Sequence, residues 1–183
     1  MSAFIDEIVL CTIGHSDRDV GDFVSLLEEN KIMTLVDIRS QPGSRKFPQY
    51  NEQALREFLA SKNIVYHWAG RQLGGLRKLE NNSNNTHQSL ADDQLRAFAE
   101  YMETEAFKKG AAQIINMARK SPLVMMCAER LPEHCHRSLI ADYLLLEGVN
   151  VKHIIEKDII RDHQLNPLAR RESAALIYDR KIS

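Results

Sequence analysis

Residues 123–146 read LVMMCAERLPEHCHRSLIADYLLL and contain the clearest strand of the chain, followed directly by a helical pattern. The first five residues are an apolar run of strand length. Pro132 suits the first turn of a helix, so a helix is predicted from about residue 132 to residue 146. Its buried stripe follows helical spacing: Leu139, Ile140, Tyr143 and Leu144. The segment therefore predicts a strand, a polar connection and a helix that packs back onto a sheet.

Strands and helices alternate along the rest of the chain. Apolar runs predict four more strands, at residues 8–13, 33–38, 64–68 and 151–155. Helical periodicity predicts helices after Ser16, which is a possible cap, after Asn51, over 92–107 and over 111–119. Alternation of this kind is typical of a parallel sheet covered on both faces. Because an eight-stranded barrel needs about 250 residues, we predict a three-layer α/β fold with a mainly parallel open sheet of about five strands.

The bulk composition is that of one globular domain. The 183 residues carry a net charge of −1, with 44% hydrophobic and 27% charged residues. We predict a single domain over 1–183 that ends in a charged, partly helical tail broken at Pro167. The three cysteines lack the spacing of a disulfide framework, and the N-terminus lacks a signal-peptide pattern. No apolar run approaches the ~18 residues of a membrane span. We therefore predict a cytoplasmic protein without a membrane partner. The pattern indicates neither a cofactor nor an oligomeric state.

Polar residues follow four of the predicted strands at the point where each ends. His15 and Ser16 follow the first strand, Arg39 the second, Arg71 the third and Glu129 the strand at 123–127. In an open parallel sheet, ligands bind outside the carboxyl ends of the strands. We therefore expect these side chains to meet in one pocket.

Asp37 lies inside the second predicted strand, and Arg39 follows two residues later on the same strand face. A buried carboxylate needs a partner, so the two side chains are predicted to pair. The pair could simply organise the loop, or Asp37 could orient Arg39 or a substrate hydroxyl at the floor of the pocket.

The segment from Cys127 to Arg137 is the richest in chemically active side chains. The helical stripe extends back to His136, which is predicted to face the sheet close to Glu129. A helix N-terminus with a histidine and Arg137 can hold an anion, and it lowers the pKa of a nearby thiol such as Cys135. The alternatives are a core histidine tied to Glu129 and a Cys127 that acts as a small apolar residue. The cysteine spacing does not suit zinc, so no metal site is predicted.

Two further segments contribute weaker candidates. The basic turn at 41–47 contains Ser44 and Arg45, which could hold phosphate or could merely be solvated. Gly74 and Gly75 open a long irregular region, and they lack the spacing of a dinucleotide-binding motif. The asparagine-rich run at 81–85 lies in this region and is either a lid or a disordered loop.

Four motifs together resemble the family known as domain of unknown function 488. They are Thr12-Ile13-Gly14-His15-Ser16, Val36-Asp37-Ile38-Arg39-Ser40-Gln41-Pro42, Leu73-Gly74-Gly75 and Cys127-Ala128-Glu129 with Cys135-His136-Arg137. The resemblance runs over about residues 8–169 and includes His163 and Pro167. It implies an α/β fold and a shared motif set, without a settled reaction.

The sequence leaves three functional hypotheses. The first is an enzyme acting on a phosphate-bearing substrate, such as a nucleotide or a nucleic-acid end, with His15, Asp37, Glu129 and His136 as catalytic candidates. The second is a non-catalytic module that binds a nucleotide or nucleic acid in the same pocket, and the third is sulfur or redox chemistry at Cys127 or Cys135. The substrate-binding candidates are Ser16, Arg39, Ser44, Arg45, Arg71, Gly74, Gly75, Cys135 and Arg137.

Overall fold

The central sheet of the computed structural model, which describes residues 7–183, has six strands. They are β1 (Val9–Gly14), β2 (Thr34–Asp37), β3 (Val65–Trp68), β4 (Leu123–Cys127), β5 (Asn150–Glu156) and β6 (Ile159–Asp162). Their order is β3-β2-β4-β1-β5-β6, and all pairs are parallel except β5 with β6. A separate antiparallel hairpin is formed by β7 (Ala169–Glu172) and β8 (Ala175–Tyr178).

Helices cover both faces of the sheet. They are α1 (Val20–Glu29), α2 (Glu52–Ser61), α3 (Gly70–Leu73), α4 (Asp93–Tyr101), α5 (Glu105–Ala118) and α6 (Arg137–Leu146), with short 3₁₀ turns at Pro48–Tyr50 and Pro132–His134. One buried cluster joins the sheet to α1 and α2, and the other joins it to α4, α5 and α6. The predicted three-layer α/β fold with a mainly parallel sheet is confirmed.

Successive residues of each strand point to opposite faces of the sheet, which decides where each side chain of the site lies. In β4, Met125 and Cys127 pack on the face covered by α6, whereas Val124 and Met126 pack towards α1 and α2. Thr12 of β1 is paired with Met125 in register, so it points to the α6 face as well. Buried polar atoms on this face must find partners within the protein.

Several predicted boundaries are wrong, each for a local reason. The tail forms β6, β7 and β8 instead of helix, and the sheet gains a sixth, antiparallel strand. The helix predicted over 92–107 breaks at Thr104, whose hydroxyl accepts from the Phe107 amide and starts a new helix. Asp19, and not Ser16, caps α1 through the Gly21 amide. Asn51 makes no capping hydrogen bond because its side chain accepts from the Ser44 amide at 2.6 Å.

The helix predicted to start at Pro132 begins only at Arg137. Pro132 instead opens a single 3₁₀ turn, in which the Cys135 amide donates to the Pro132 carbonyl at 3.0 Å. Cys135 itself is extended, with φ −142° and ψ 145°. This change of direction before α6 is what turns the Cys135 side chain back towards β4.

Candidate functional site

The site lies in a crevice between the carboxyl ends of β1 and β4. The chain leaves β1 for α1 on one face of the sheet and leaves β4 for α6 on the other, and such switch points are where open α/β sheets bind ligands. The His15 amide donates to the Cys127 carbonyl and the Ser16 amide to the Ala128 carbonyl, both at 2.9 Å. The two strand ends are therefore held side by side.

Close approach at this crevice requires a glycine at position 14. A Cβ atom at this position would lie 1.7 Å from the Glu129 carbonyl oxygen, well inside van der Waals contact. The cavity above has a volume of about 760 Å³ and is lined from both sides of the crevice. Its lining includes His15, Ser16, Arg39, Ser44, Gly75, Cys127, Glu129, Cys135 and His136.

Arg137 is fully buried below this cavity and makes no salt bridge within residues 7–183. Its Nη1 donates to Cys127 Sγ at 2.6 Å and also to the Glu129 carbonyl, and its Nη2 donates to the Arg130 carbonyl at 2.8 Å. Its Nε donates to Thr12 Oγ1 at 3.2 Å. A guanidinium stays protonated in proteins, and a buried charge is costly without an opposite charge. Among the four groups that accept from the Arg137 side chain, the Cys127 sulfur is the one that can become an anion.

Cys127 and Cys135 are in direct contact, with 2.9 Å between their sulfur atoms. Burial on its own would raise the pKa of Cys127, but the hydrogen bond from Cys135 and the charge of Arg137 outweigh it and lower this pKa below the ordinary thiol value. The pKa of Cys135 is raised well above its ordinary value, by its bond to Cys127 first and by burial second. When the pair loses its first proton, the thiolate therefore forms on Cys127 and the remaining proton stays on Cys135.

Asp37 and Arg39 form the predicted pair at the end of β2. Arg39 Nε lies 2.9 Å from Asp37 Oδ1, and Nη2 lies 2.6 Å from Oδ2. The Tyr66 hydroxyl donates to the same Oδ2 at 2.6 Å, so the carboxylate is saturated and fully buried. This arrangement leaves Nη1 as the edge of the Arg39 guanidinium that faces His15 and the cavity.

His15 lies against the Tyr50 ring, with a centroid distance of 4.3 Å and an interplanar angle of 15°. Its Nδ1 donates to the Ser16 carbonyl at 2.8 Å, so Nε2 carries the lone pair and accepts from Arg39 Nη1 at 3.4 Å. Burial lowers the pKa of His15 to about 4, so the ring is neutral near pH 7. A neutral imidazole at a cavity wall can accept a proton but carries no charge to attract an anion.

His136 lies on the opposite side of the crevice, at the residue before α6. Its Nδ1 lies 3.5 Å from Cys135 Sγ, and its ring stands edge-on to Phe98 at 4.9 Å. Burial lowers the pKa of His136 to about 4. A Cβ on Gly75 would come within 2.6 Å of Nδ1, so glycine at this position leaves room for the imidazole beside Cys135. The expected contact between His136 and Glu129 is absent from the hydrogen bonds and salt bridges of residues 7–183.

Several candidates from the sequence lie away from the cavity wall. Arg45 and Arg71 are exposed and outside the lining, while Gly74 packs against Ser40 and Arg137 is buried underneath. Glu129 lines the cavity but is exposed, in the loop beyond β4. The cavity therefore draws its positive charge from Lys46 and the free edge of Arg39, and carboxylates of Asp17, Asp92 and Glu129 also line it.

Sequence reasoning missed the buried polar residues behind Arg137. Thr12, His153 and Asp142 are each at most 3% exposed, and the first two stand inside apolar strands. A polar residue within a buried strand was the available signal, the same one that singled out Asp37. His163 entered only through the family resemblance.

The fold and the site define an α/β protein with an arginine-bound cysteine pair at the switch point of its sheet. The family described as Domain of unknown function DUF488 matches residues 19–144, and the chain belongs to this family. Cys127, Cys135, His136 and Arg137 lie within the match, whereas the Gly14-His15-Ser16 motif precedes it and His163 follows it. No curated protein and no solved structure matches the chain.

Two negative findings apply to the described part of the chain. Over residues 7–183, none of the helices is both long and apolar enough to cross a membrane. The same residues contain no cluster of three or more His, Cys, Asp or Glu side chains with the arrangement of a metal site.

Proposed function

We propose that the protein is a thiol-dependent redox enzyme that exchanges electrons with small disulfides, with Cys127 as the attacking thiolate and Cys135 as the resolving thiol. The observation that carries this proposal is the fully buried Arg137, whose guanidinium donates to Cys127 Sγ at 2.6 Å with no carboxylate partner in the described residues. A thiolate is the nucleophile in thiol chemistry, and a neighbouring cation is the usual device that stabilises it.

The two sulfurs support a balanced exchange. The Cys127 thiolate attacks one sulfur of a disulfide RSSR, forming a Cys127–SR mixed disulfide and releasing RS⁻. Cys135 gives its proton to this RS⁻ and attacks the Cys127 sulfur, which expels a second RS⁻ that takes a proton from water. The cysteine pair is oxidised to a disulfide and the substrate is reduced to two thiols, and an excess of thiol runs the sequence backwards. His136 Nδ1, 3.5 Å from Cys135 Sγ, supports a role in passing the Cys135 proton.

The route by which a substrate reaches the two cysteines indicates its class. Cys127 is 2% exposed and Cys135 is 6% exposed, so a substrate reaches them only through the cavity of about 760 Å³. This volume suits a low-molecular-weight compound and excludes a folded protein surface. We also propose that the chain forms one domain, as the sequence predicts, and a cavity lined by several elements of the sheet supports this.

The test uses hydroxyethyl disulfide and the full chain. We expect Cys127→Ser to remove disulfide exchange, and Cys135→Ser to stop at a mixed disulfide on Cys127 that mass spectrometry detects. Cys11→Ser is the matched control, because Cys11 is a thiol that lies outside the cavity lining and packs towards α1 and α2. Exchange that survives Cys127→Ser, or that depends on Cys11, would contradict the proposal.

A second candidate function is the binding of a phosphate-bearing substrate, either for catalysis or, as a non-catalytic module, for recognition of a nucleotide or nucleic acid. It is favoured by Arg39, Lys46 and the Ser44 side chain along one wall of the cavity. For this function, Ser16 and Gly75 shape the wall, and His15, Glu129 and His136 supply acid–base groups. Asp37 is fully buried and bonded to Arg39 and Tyr66, so its role is to orient Arg39.

Adenosine monophosphate and inorganic phosphate are suitable probes of this second function. We expect a rise in melting temperature with ligand concentration, because a ligand that binds only the folded state stabilises it. The rise should shrink in high salt and in Lys46→Gln, and it should persist in the control Lys157→Gln, an exposed lysine outside the cavity. A melting temperature that changes with neither ligand would contradict this second function.

A further inference from the structure

A buried chain of hydrogen bonds runs from Arg137 away from the cavity and ends at Asp142. Arg137 Nε donates to Thr12 Oγ1, and Thr12 Oγ1 lies 2.7 Å from His153 Nδ1. His153 Nε2 lies 2.8 Å from His163 Nδ1, and His163 Nε2 lies 2.8 Å from Asp142 Oδ1. The Tyr178 hydroxyl donates to the other carboxylate oxygen at 2.7 Å.

The chemistry of its two ends gives the chain one direction. The carboxylate of Asp142 accepts from His163 Nε2, and a His163 ring that carries this one proton accepts at Nδ1 from His153 Nε2. His153 then offers Nδ1 as an acceptor, and the Thr12 hydroxyl donates to it. The second lone pair of Thr12 Oγ1 is left for Arg137 Nε. Burial lowers the pKa of His153 to about 3, which agrees with a neutral ring that carries one proton.

Each side of the Arg137 guanidinium has its own partner. Thr12 holds Nε, the Arg130 carbonyl holds Nη2, and Nη1 is left pointing at Cys127 and the Glu129 carbonyl. Removing the Thr12 hydroxyl would leave a buried charged N–H without an acceptor, which is expensive enough to make the guanidinium turn. The direction in which Nη1 points is therefore coupled to the far end of the chain.

We propose that Thr12, His153, His163 and Asp142 are positioning residues that hold Arg137 against Cys127 and thereby keep the Cys127 thiol ionised. This inference rests on the proposed function, since it explains how that thiolate is maintained. It also gives a role to the last third of the chain: His153 is on β5, His163 follows β6, and Tyr178 ends β8. These three residues lie beyond the part of the chain that matches the family.

The experiment measures the rate of Cys127 alkylation by iodoacetamide against pH, with the modified cysteine identified by mass spectrometry. We expect Thr12→Val to lower the alkylation rate near neutral pH about tenfold, which corresponds to a rise of one pKa unit. Thr12→Ser keeps the hydroxyl, so its alkylation rate should follow the pH profile of the wild type. Thr34→Val is the matched control, because Thr34 is also a buried strand threonine with one side-chain hydrogen bond, to Ser121.

A second variant tests the far end of the chain. His163→Phe removes the group that accepts from His153, and it should also lower the rate of Cys127 alkylation near neutral pH. The inference is overturned if Thr12→Val or His163→Phe folds and alkylates like the wild type, or if Thr34→Val shifts the profile equally. A wild-type Cys127 with an ordinary pKa would instead overturn the proposed function, so the two failures are distinguishable.

Discussion

Replacement of Arg137 by methionine is expected to lower the fraction of Cys127 that is ionised near neutral pH by about two orders of magnitude. Methionine has a similar length but no charge, so Cys127 loses both the charge and the hydrogen bond of Arg137, while burial and the Cys135 hydrogen bond remain, and its pKa rises. Two pKa units correspond to a factor of about 100 in thiolate population. The measurement is the pH profile of Cys127 alkylation, together with the rate of disulfide exchange.

Arg130→Met is the matched control for this variant. Arg130 is the arginine nearest to Arg137 in the sequence, but its side chain pairs with Asp17 and Glu156 at the surface and makes no hydrogen bond to either thiol. We expect its alkylation profile to match that of the wild type. If Arg137→Met is too unstable to assay, Arg137→Lys is the alternative. Lysine keeps the charge but not the planar guanidinium, so the loss of Cys127 thiolate should be smaller. A folded Arg137→Met protein with unchanged Cys127 reactivity would contradict the assignment.

The second large effect is expected at the Asp37–Arg39 pair, and it concerns stability. Asp37→Asn keeps the shape of the side chain but leaves the Arg39 charge buried, with 8% of its side chain exposed, and without an anionic partner. Breaking a buried pair on one side costs about 3–5 kcal/mol of the free energy of unfolding. Urea denaturation followed by circular dichroism measures this loss.

Asp162→Asn supplies the comparison for the buried pair. Asp162 pairs with Lys152 at 3.8 Å and its side chain is 79% exposed, so its loss should cost no more than about 1 kcal/mol. Equal losses in the two variants would mean that the Asp37–Arg39 pair contributes no more than a surface contact. They would also mean that Arg39 is not rigidly held at the cavity wall.

The central sheet and the position of the site could be predicted because their signals are local. Apolar runs mark β1 and β4, and the period of two in a strand put Asp37 and Arg39 on one face, where they pair. The strands β6 and β7 lacked such a signal, and β8 is an apolar run of only four residues, which is too short to distinguish a strand from a helix. All of β6 is exposed and β7 consists largely of charged residues, so neither shows an apolar alternation.

The role of Arg137 could not be predicted from periodicity. An arginine at the edge of a helical stripe is expected to reach solvent, whereas this one is fully buried. Its acceptors belong to two distant parts of the sequence, and only the fold brings Thr12 to Cys127, Glu129 and Arg130. The spacing of Cys127 and Cys135 likewise did not predict contact, which depends on the 3₁₀ turn at Pro132–His134.

The most direct test is a titration of Cys127 in the wild-type protein, by thiolate absorbance and by alkylation with mass spectrometry. We expect Cys127 to ionise at a pH below the ordinary thiol value of about 8.5, while Cys135 stays protonated well above it. Reactivity of Cys127 should therefore persist near neutral pH and be lost as the pH falls through its lowered pKa. A Cys127 that stays protonated up to pH values above about 8.5 would contradict the claim that Arg137 has a thiolate as its counter-ion.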